Sequence, residues 1–162
     1  MSGAQPGPAR WWLVDLERDQ SPSHDLVRAP SRRQALASYR ADMIIFFSAH
    51  ESRRWAAARV RALGPVVIDG PLTPREAFDH ALGWAWAWEI TRRESRRTTV
   101  AVEPLTPASR ADAERELGPD LARKIEKDAA AAYLDDPAAA APAPAPGRPP
   151  TAGGNPGDGP AR

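Results

Sequence analysis

Apolar residues recur along this chain with two periods, and the longest helical pattern runs over residues 73–97. At 100° per residue, Phe78, Ala81, Leu82, Ala85 and Trp88 fall on one face, with Trp84 and Trp86 at its opposite margins. Thr73 is an N-cap, Pro74 suits the first helical position, and Glu76 completes a capping box. Arg92, Arg93, Arg96 and Arg97 crowd the last turns, where cations suit the helix dipole. Each buried indole removes about 150–250 Å² from water, worth about 4–6 kcal/mol at ~25 cal/mol per Å² before entropy. A helix with three such rings needs a wide apolar surface, and the expected partner is a small sheet.

Period-two and wholly apolar runs supply that sheet. Over 11–17, Trp12, Val14 and Leu16 share one face while Asp15 and Glu17 turn to the other. Residues 66–69 form an apolar run ended by Gly70-Pro71, and 98–103 put Val100 and Val102 on one face. Residues 18–30, rich in Ser, Pro, His and Asp, read as a loop. Strands alternating with helices predict an α/β (or α+β) fold, a sheet of three or four strands covered by helices.

The stretch after Ser31 is ambiguous. Ser31 and Gln34 form a capping-box pattern, and Leu36, Tyr39, Met43, Phe46, Phe47 and His50 share a helical arc. Ser48 and Glu51 form another, and Ile44 and Ile45 lie off the helical face, so 42–47 reads equally as a short buried strand. An unbroken helix over 31–63 spans about 50 Å, long for such a domain, so a break is expected near Ser48. Helix resumes over 55–63 and stops at Gly64-Pro65. Residues 104–107 are a turn, Ser109 caps a polar helix interrupted at Gly118-Pro119, and a peripheral helix over 120–134 turns Leu121, Ile125, Ala132 and Tyr133 inward.

Composition limits the domain. From Pro137 onward the chain is almost entirely Pro, Ala and Gly, with eight prolines, and it lacks the apolar surface to offset ordering entropy. The expected organisation is a disordered 1–10, one domain over 11–136 and a disordered tail over 137–162. Cysteine is absent, which excludes disulfide frameworks, thiolate metal sites and cysteine nucleophiles. No run reaches the length of a membrane span, and residues 1–10 lack the apolar core of a targeting peptide. A cytoplasmic bacterial protein is the expectation. Net charge is +1, but eight Arg against Asp42 and Glu51 give +6 over 28–61, and nine acids against five bases give −4 over 101–136.

Candidate chemistry is sparse. Asp69 precedes a glycine at a strand end, and Asp15 and Glu103 also lie near strand ends, so carboxylates there are weak catalytic candidates. His50, beside Glu51, is a fourth. The ordinary reading is turn chemistry for Asp69 and a surface position for His50. The histidine spacings match no zinc motif, and no phosphate-cradling glycine loop exists, so no metal or cofactor is expected. Four arginine pairs, Arg32/Arg33, Arg53/Arg54, Arg92/Arg93 and Arg96/Arg97, are nucleic-acid-binding candidates, against surface pairing with Glu51, Glu89 and Glu94. Trp11 and Trp12 face opposite ways, and the helix cannot bury all its indoles on one side. Trp11, Trp84 and Trp86 are therefore protein-interface candidates. A non-catalytic binding protein, acting through protein contacts or self-association, is the leading expectation. A nucleic-acid-associated protein comes second and an enzyme with acidic residues at strand ends third.

Overall fold

Trp12, Val14 and Leu16, spaced two apart on strand β1 (Arg10–Leu16), carry the first core. The computed structural model describes residues 7–19, 24–100 and 102–134. Strand β2 (Asp25–Ala29) pairs antiparallel with one edge of β1, and strand β3 (Pro65–Leu72) with the other, giving the order β2-β1-β3. Within the expected loop over 18–30, β2 is therefore a strand. It is short, and its apolar Leu26 and Val27 sit opposite Leu13 and Trp12. Helix α1 (Arg32–Phe47) closes the Trp12 face with Ala35 and Tyr39, backed by Leu36 and Met43.

The ambiguous stretch is helical. Helix α1 runs through 42–47, and the short-strand alternative does not form. The break falls at Ser48, whose hydroxyl donates to the Ile44 carbonyl at 2.6 Å and so closes a helix instead of opening one. Ser52 is the next N-cap, accepting from the Trp55 amide and starting α2 (Arg53–Leu63). Gly64, at φ 70°, ends α2 and hands the chain to β3.

Strand β3 continues past the expected stop, through a cis Gly70-Pro71 bond to Leu72. Gly70 has φ 132°, and a Cβ there would lie 2.9 Å from the Trp12 ring, so only glycine fits. Helix α3 (Pro74–Thr98) opens with the full Thr73/Glu76 capping box. It runs through Thr98, and Thr99 leaves it in the left-handed region. The expected strand over 98–103 is absent among the described residues: Val100 and Val102 are exposed, and β1 already has both edges paired.

Helices α4 (Arg110–Leu117) and α5 (Pro119–Tyr133) follow, Ser109 capping the first. They change the role of α3. Phe78, Leu82 and Trp86 pack with Ala113, Leu117 and Ala122 in a second core separate from that of the sheet. The Trp-rich helix is thus held mainly by α4 and α5, and α5 is integral, not peripheral. Trp86 is 4% exposed and its Nε1 donates to the Ala122 carbonyl at 3.1 Å. Trp88, expected on the buried face, is 45% exposed. Ala132 also points outward, while Ala129 and Ala130 take the inner positions. Two ring contacts tie the cores together: Trp11 on Tyr133 at 4.7 Å, and His24 on His80 at 6.1 Å. The result is an α+β fold of five helices on a three-stranded antiparallel sheet. The expected disordered segments over 1–10 and 137–162 lie outside the described residues, save 7–10, where β1 begins at Arg10.

Trp86→Ala removes a buried ring and its hydrogen bond to the Ala122 carbonyl, so it should cost about 3–5 kcal/mol. Trp88→Ala, at a half-open site, should cost about 1 kcal/mol or less. Urea midpoints of the two variants check the assignment of the second core.

Candidate functional site

Antiparallel pairing decides where the chemistry-bearing residues go. Asp15 and Asp69 lie inside strands instead of after them, Asp69 opposite Leu13 in the β1–β3 pairing. Asp69 is exposed, and its Oδ1 accepts from the Gly70 amide at 2.8 Å, as turn chemistry requires. His50 is exposed in the turn between α1 and α2, and Glu103 follows α3 on the far bundle. Asp15, His50, Asp69 and Glu103 are not brought together.

Asp15 alone meets titratable neighbours. Its Oδ1 accepts from the Leu16 amide at 2.7 Å, and its Oδ2 lies 3.1 Å from Nδ1 of His24. His24 stacks almost parallel on His80, whose Nε2 is buried without a hydrogen-bond partner among the described residues. Burial lowers the pKa of His80 first, with the neighbouring His24 adding to it, against a raising hydrogen bond to the His24 backbone. On the other side of Asp15, a cavity of about 260 Å³ is lined by Asp15, Asp19 and Asp25 with Tyr39, Met43 and Phe46. Burial, and then the Asp25 carboxylate that the phenol hydrogen-bonds, push the Tyr39 hydroxyl far above its ordinary range.

The Asp15–His24 pair has the geometry of a base and its orienting acid. Among the described residues, however, His24 bonds no hydroxyl nucleophile, and no group of three side chains gathers to hold a metal ion. His24 falls within 18–30, expected to be a loop. The signal for its pairing was the antiparallel return of β2 beside β1, which a loop assignment hides.

The arginine pairs are dispersed. Arg32/Arg33 and Arg53/Arg54 begin two antiparallel helices and lie at opposite ends of the α1–α2 hairpin, separated by roughly 20 Å of helix. Arg92 and Arg93 close on Glu89 at 2.7 and 3.5 Å, and the Arg92 bonds hold the Glu89 carboxyl below its usual range. Glu51 meets Arg59 at 3.6 Å. Arg32, Arg33, Arg53, Arg54, Arg96 and Arg97 have no ion-pair partner among the described residues.

The tryptophans proposed as interface residues are mostly internal. Trp86 is core, Trp11 lies against Tyr133, and Trp84 is half-buried. Surface apolarity appears elsewhere. Ile45, Phe46 and Trp55 are exposed by 69, 64 and 70% around the turn joining α1 and α2. Phe46 leans on Phe47 at 5.4 Å, and the Arg59 guanidinium covers Phe47 at 4.2 Å. The available signal was Ile45 lying off the helical arc and two adjacent phenylalanines that cannot both face inward. No protein family, curated protein or solved structure matches this chain.

A histidine whose folded pKa is depressed favours the folded state while neutral, so its contribution is complete above the unfolded value of about 6.5. As pH falls from there towards the folded pKa, the unfolded chain gains the proton first and stability drops. The wild-type thermal midpoint should therefore fall below about pH 6.5 more steeply than that of His80→Gln. Melting curves at successive pH values provide the comparison.

Proposed function

We propose that this protein works by binding another protein through the turn between α1 and α2. The observation that carries the reading is the exposure of Ile45, Phe46 and Trp55 at that turn. Their open fractions amount to on the order of 400 Å² of apolar surface, within the ~300–600 Å² of patches that are often functional on monomers. Nothing in the stability of the fold requires these side chains to be large and apolar.

Charge defines the partner. Helix α2 has no acid in its first turn; Arg53 and Arg54 occupy it instead, beside Trp55 and among amides the helix leaves unsatisfied. Cations there oppose the helix dipole by about 0.3–1 kcal/mol each. An arriving carboxylate would relieve that conflict beside Trp55, whereas Phe46 borders the cavity lined by Asp15, Asp19 and Asp25, so the partner surface is apolar with charges of both signs at its margin. The scatter of the arginine pairs disfavours nucleic acid, which needs a continuous basic track along its phosphates. No helix among the described residues is long and apolar enough to cross a membrane.

Changing Ile45, Phe46 and Trp55 together to Ser should leave the thermal midpoint within a few degrees, because none contributes a buried side chain. It should also remove the proteins that co-purify with the tagged wild-type chain. An unchanged set of retained proteins would sink the proposal. Salt-sensitive retention on DNA, lost when Arg53 and Arg54 become Glu, would turn the reading to nucleic acid.

A further inference from the structure

The cavity beside Phe46 adds chemistry to the exposed turn. Asp15 of β1, Asp19 just after it and Asp25 at the start of β2 supply its acids, and Tyr39, Phe46 and Phe47 of α1 supply its rings, around about 260 Å³. Residues distant in sequence meet here because β2 returns beside β1, with Asp25 opposite Val14, and Tyr39 packs with Val14 and Leu16 at that end of the sheet. The volume falls short of the ~300–1,000 Å³ of pockets that enclose a whole small ligand, but it holds one long side chain.

Its charge is negative. Among the described residues Arg59 is the one base in the lining, whereas Arg40 and Arg61 line a separate cavity and the Arg18 guanidinium donates to the Ala62 carbonyl at 3.1 Å. Asp15 shares its charge with His24, but Asp19 and Asp25 have no ion-pair partner among the described residues. Asp25 accepts from the Tyr39 phenol, and all three carboxylates bear on that hydroxyl. Asp42, one helical turn before Phe46, adds a fourth acid nearby. A cation already rests on the rings: the Arg59 guanidinium lies 4.2 Å from the centre of Phe47. Its tie to Glu51 spans 3.6 Å, beyond hydrogen-bond length, and Glu51 Oε1 is buried without a hydrogen-bond partner among the described residues. The rings thus accept a guanidinium, while Asp19 and Asp25 have none.

From this meeting of carboxylates and rings we infer that the partner of the α1–α2 turn inserts an arginine side chain beside Phe46, its guanidinium against Asp19 and Asp25 and its stem along Phe46 and Met43. The inference rests on the protein-binding reading above and names the side chain by which the partner is recognised. Arginine suits the cavity better than lysine. A planar, weakly hydrated guanidinium stacks on rings and bridges carboxylates, whereas an ammonium is a strongly hydrated point charge. A metal ion suits it less, because no three ligating side chains gather closely enough among the described residues. Apolar partner residues covering Ile45 and Phe46 would exclude water around the ion pairs and strengthen them. The partner segment is then apolar, with an arginine where it meets the cavity and an acid where it meets the first turn of α2.

Amide NMR spectra of the full chain, titrated with Nα-acetyl-arginine methylamide at millimolar concentrations, test this. Saturable shifts should centre on Asp19, Asp25, Tyr39 and Phe46, and added salt should weaken them. The lysine analogue should bind several-fold more weakly, and the uncharged norleucine analogue should leave these amides in place. Asp19→Asn together with Asp25→Asn should weaken arginine binding on the order of tenfold. The thermal midpoint should stay near that of the wild type, because an amide oxygen at position 25 still accepts from the Tyr39 phenol. Shifts spread over every surface carboxylate, equal shifts with the lysine or norleucine compound, or arginine binding untouched by the double variant overturn the inference. Co-purifying proteins separate it from the reading it rests on. If the Asp19 and Asp25 variant keeps them all while the Ile45, Phe46 and Trp55 variant loses them, the cavity is not the contact and the binding turn stands.

Discussion

One indole holds the sheet together. The Trp12 side chain leaves the central strand, its Nε1 donates to the Ala29 carbonyl on β2 at 3.0 Å, and its ring lies where a Cβ at Gly70 of β3 would have to go. A single residue therefore touches all three strands. Three-stranded sheets with one apolar face stand near the limit of independent stability, so a cross-sheet anchor matters more here than in a larger sheet. The register irregularities between β1 and β3 fall at Trp11–Leu13 and Leu13–Val14, on either side of that contact. The bulged backbone and the glycine make room for the ring.

The two-core arrangement follows from how much this small sheet can cover. Helix α1 takes one face, and its Ala35 permits a close approach. The indole-bearing α3 needs more apolar area than the remaining face offers, and α4 and α5 supply it. The bundle then meets the sheet through two pairs of rings instead of a continuous core. One of those pairs contains a buried imidazole nitrogen with no partner, a group whose desolvation is tolerated only while it stays uncharged. The junction between the cores is consequently sensitive to acid.

Local signals were legible in the sequence wherever a side chain closes its own backbone. Ser31, Thr73 and Ser109 cap the helices they were expected to cap, and Gly64 ends α2. The same kind of signal misled at Ser48, because a serine that follows a helix can donate back to its fourth preceding carbonyl as readily as it can open a new one. Tertiary choices were illegible for a different reason. Period two in Val100 and Val102 describes a strand only if a sheet strand takes it as a neighbour, and none does among the described residues. The five-residue β2 carries too little pattern to be recognised without the strand it pairs with. Antiparallel order was equally hidden, as was the length of α3, which leaves Glu103 beside the helices and not at a strand end. Indole count gave the wrong surface for the same cause: Trp86 found a cover in α5 that periodicity within α3 does not reveal.

What remains on the outside is ordered by charge. Of the hairpin's two arginine pairs, Arg53/Arg54 start α2 at the turn where the aromatic side chains are open and Arg32/Arg33 start α1 at the other end, while the segment after α3 brings unpaired glutamates to its own exposed aliphatic residues. A helix that opens on Arg53 and Arg54 beside an uncovered Trp55 gives up stability that a single substitution would recover. Conflicts of that kind tend to coincide with binding surfaces, because the missing counter-charge is supplied from outside the chain. Within the chain the positive end of α2 is met by the Ser52 hydroxyl, which accepts from the Trp55 amide, and by no carboxylate in its own first turn.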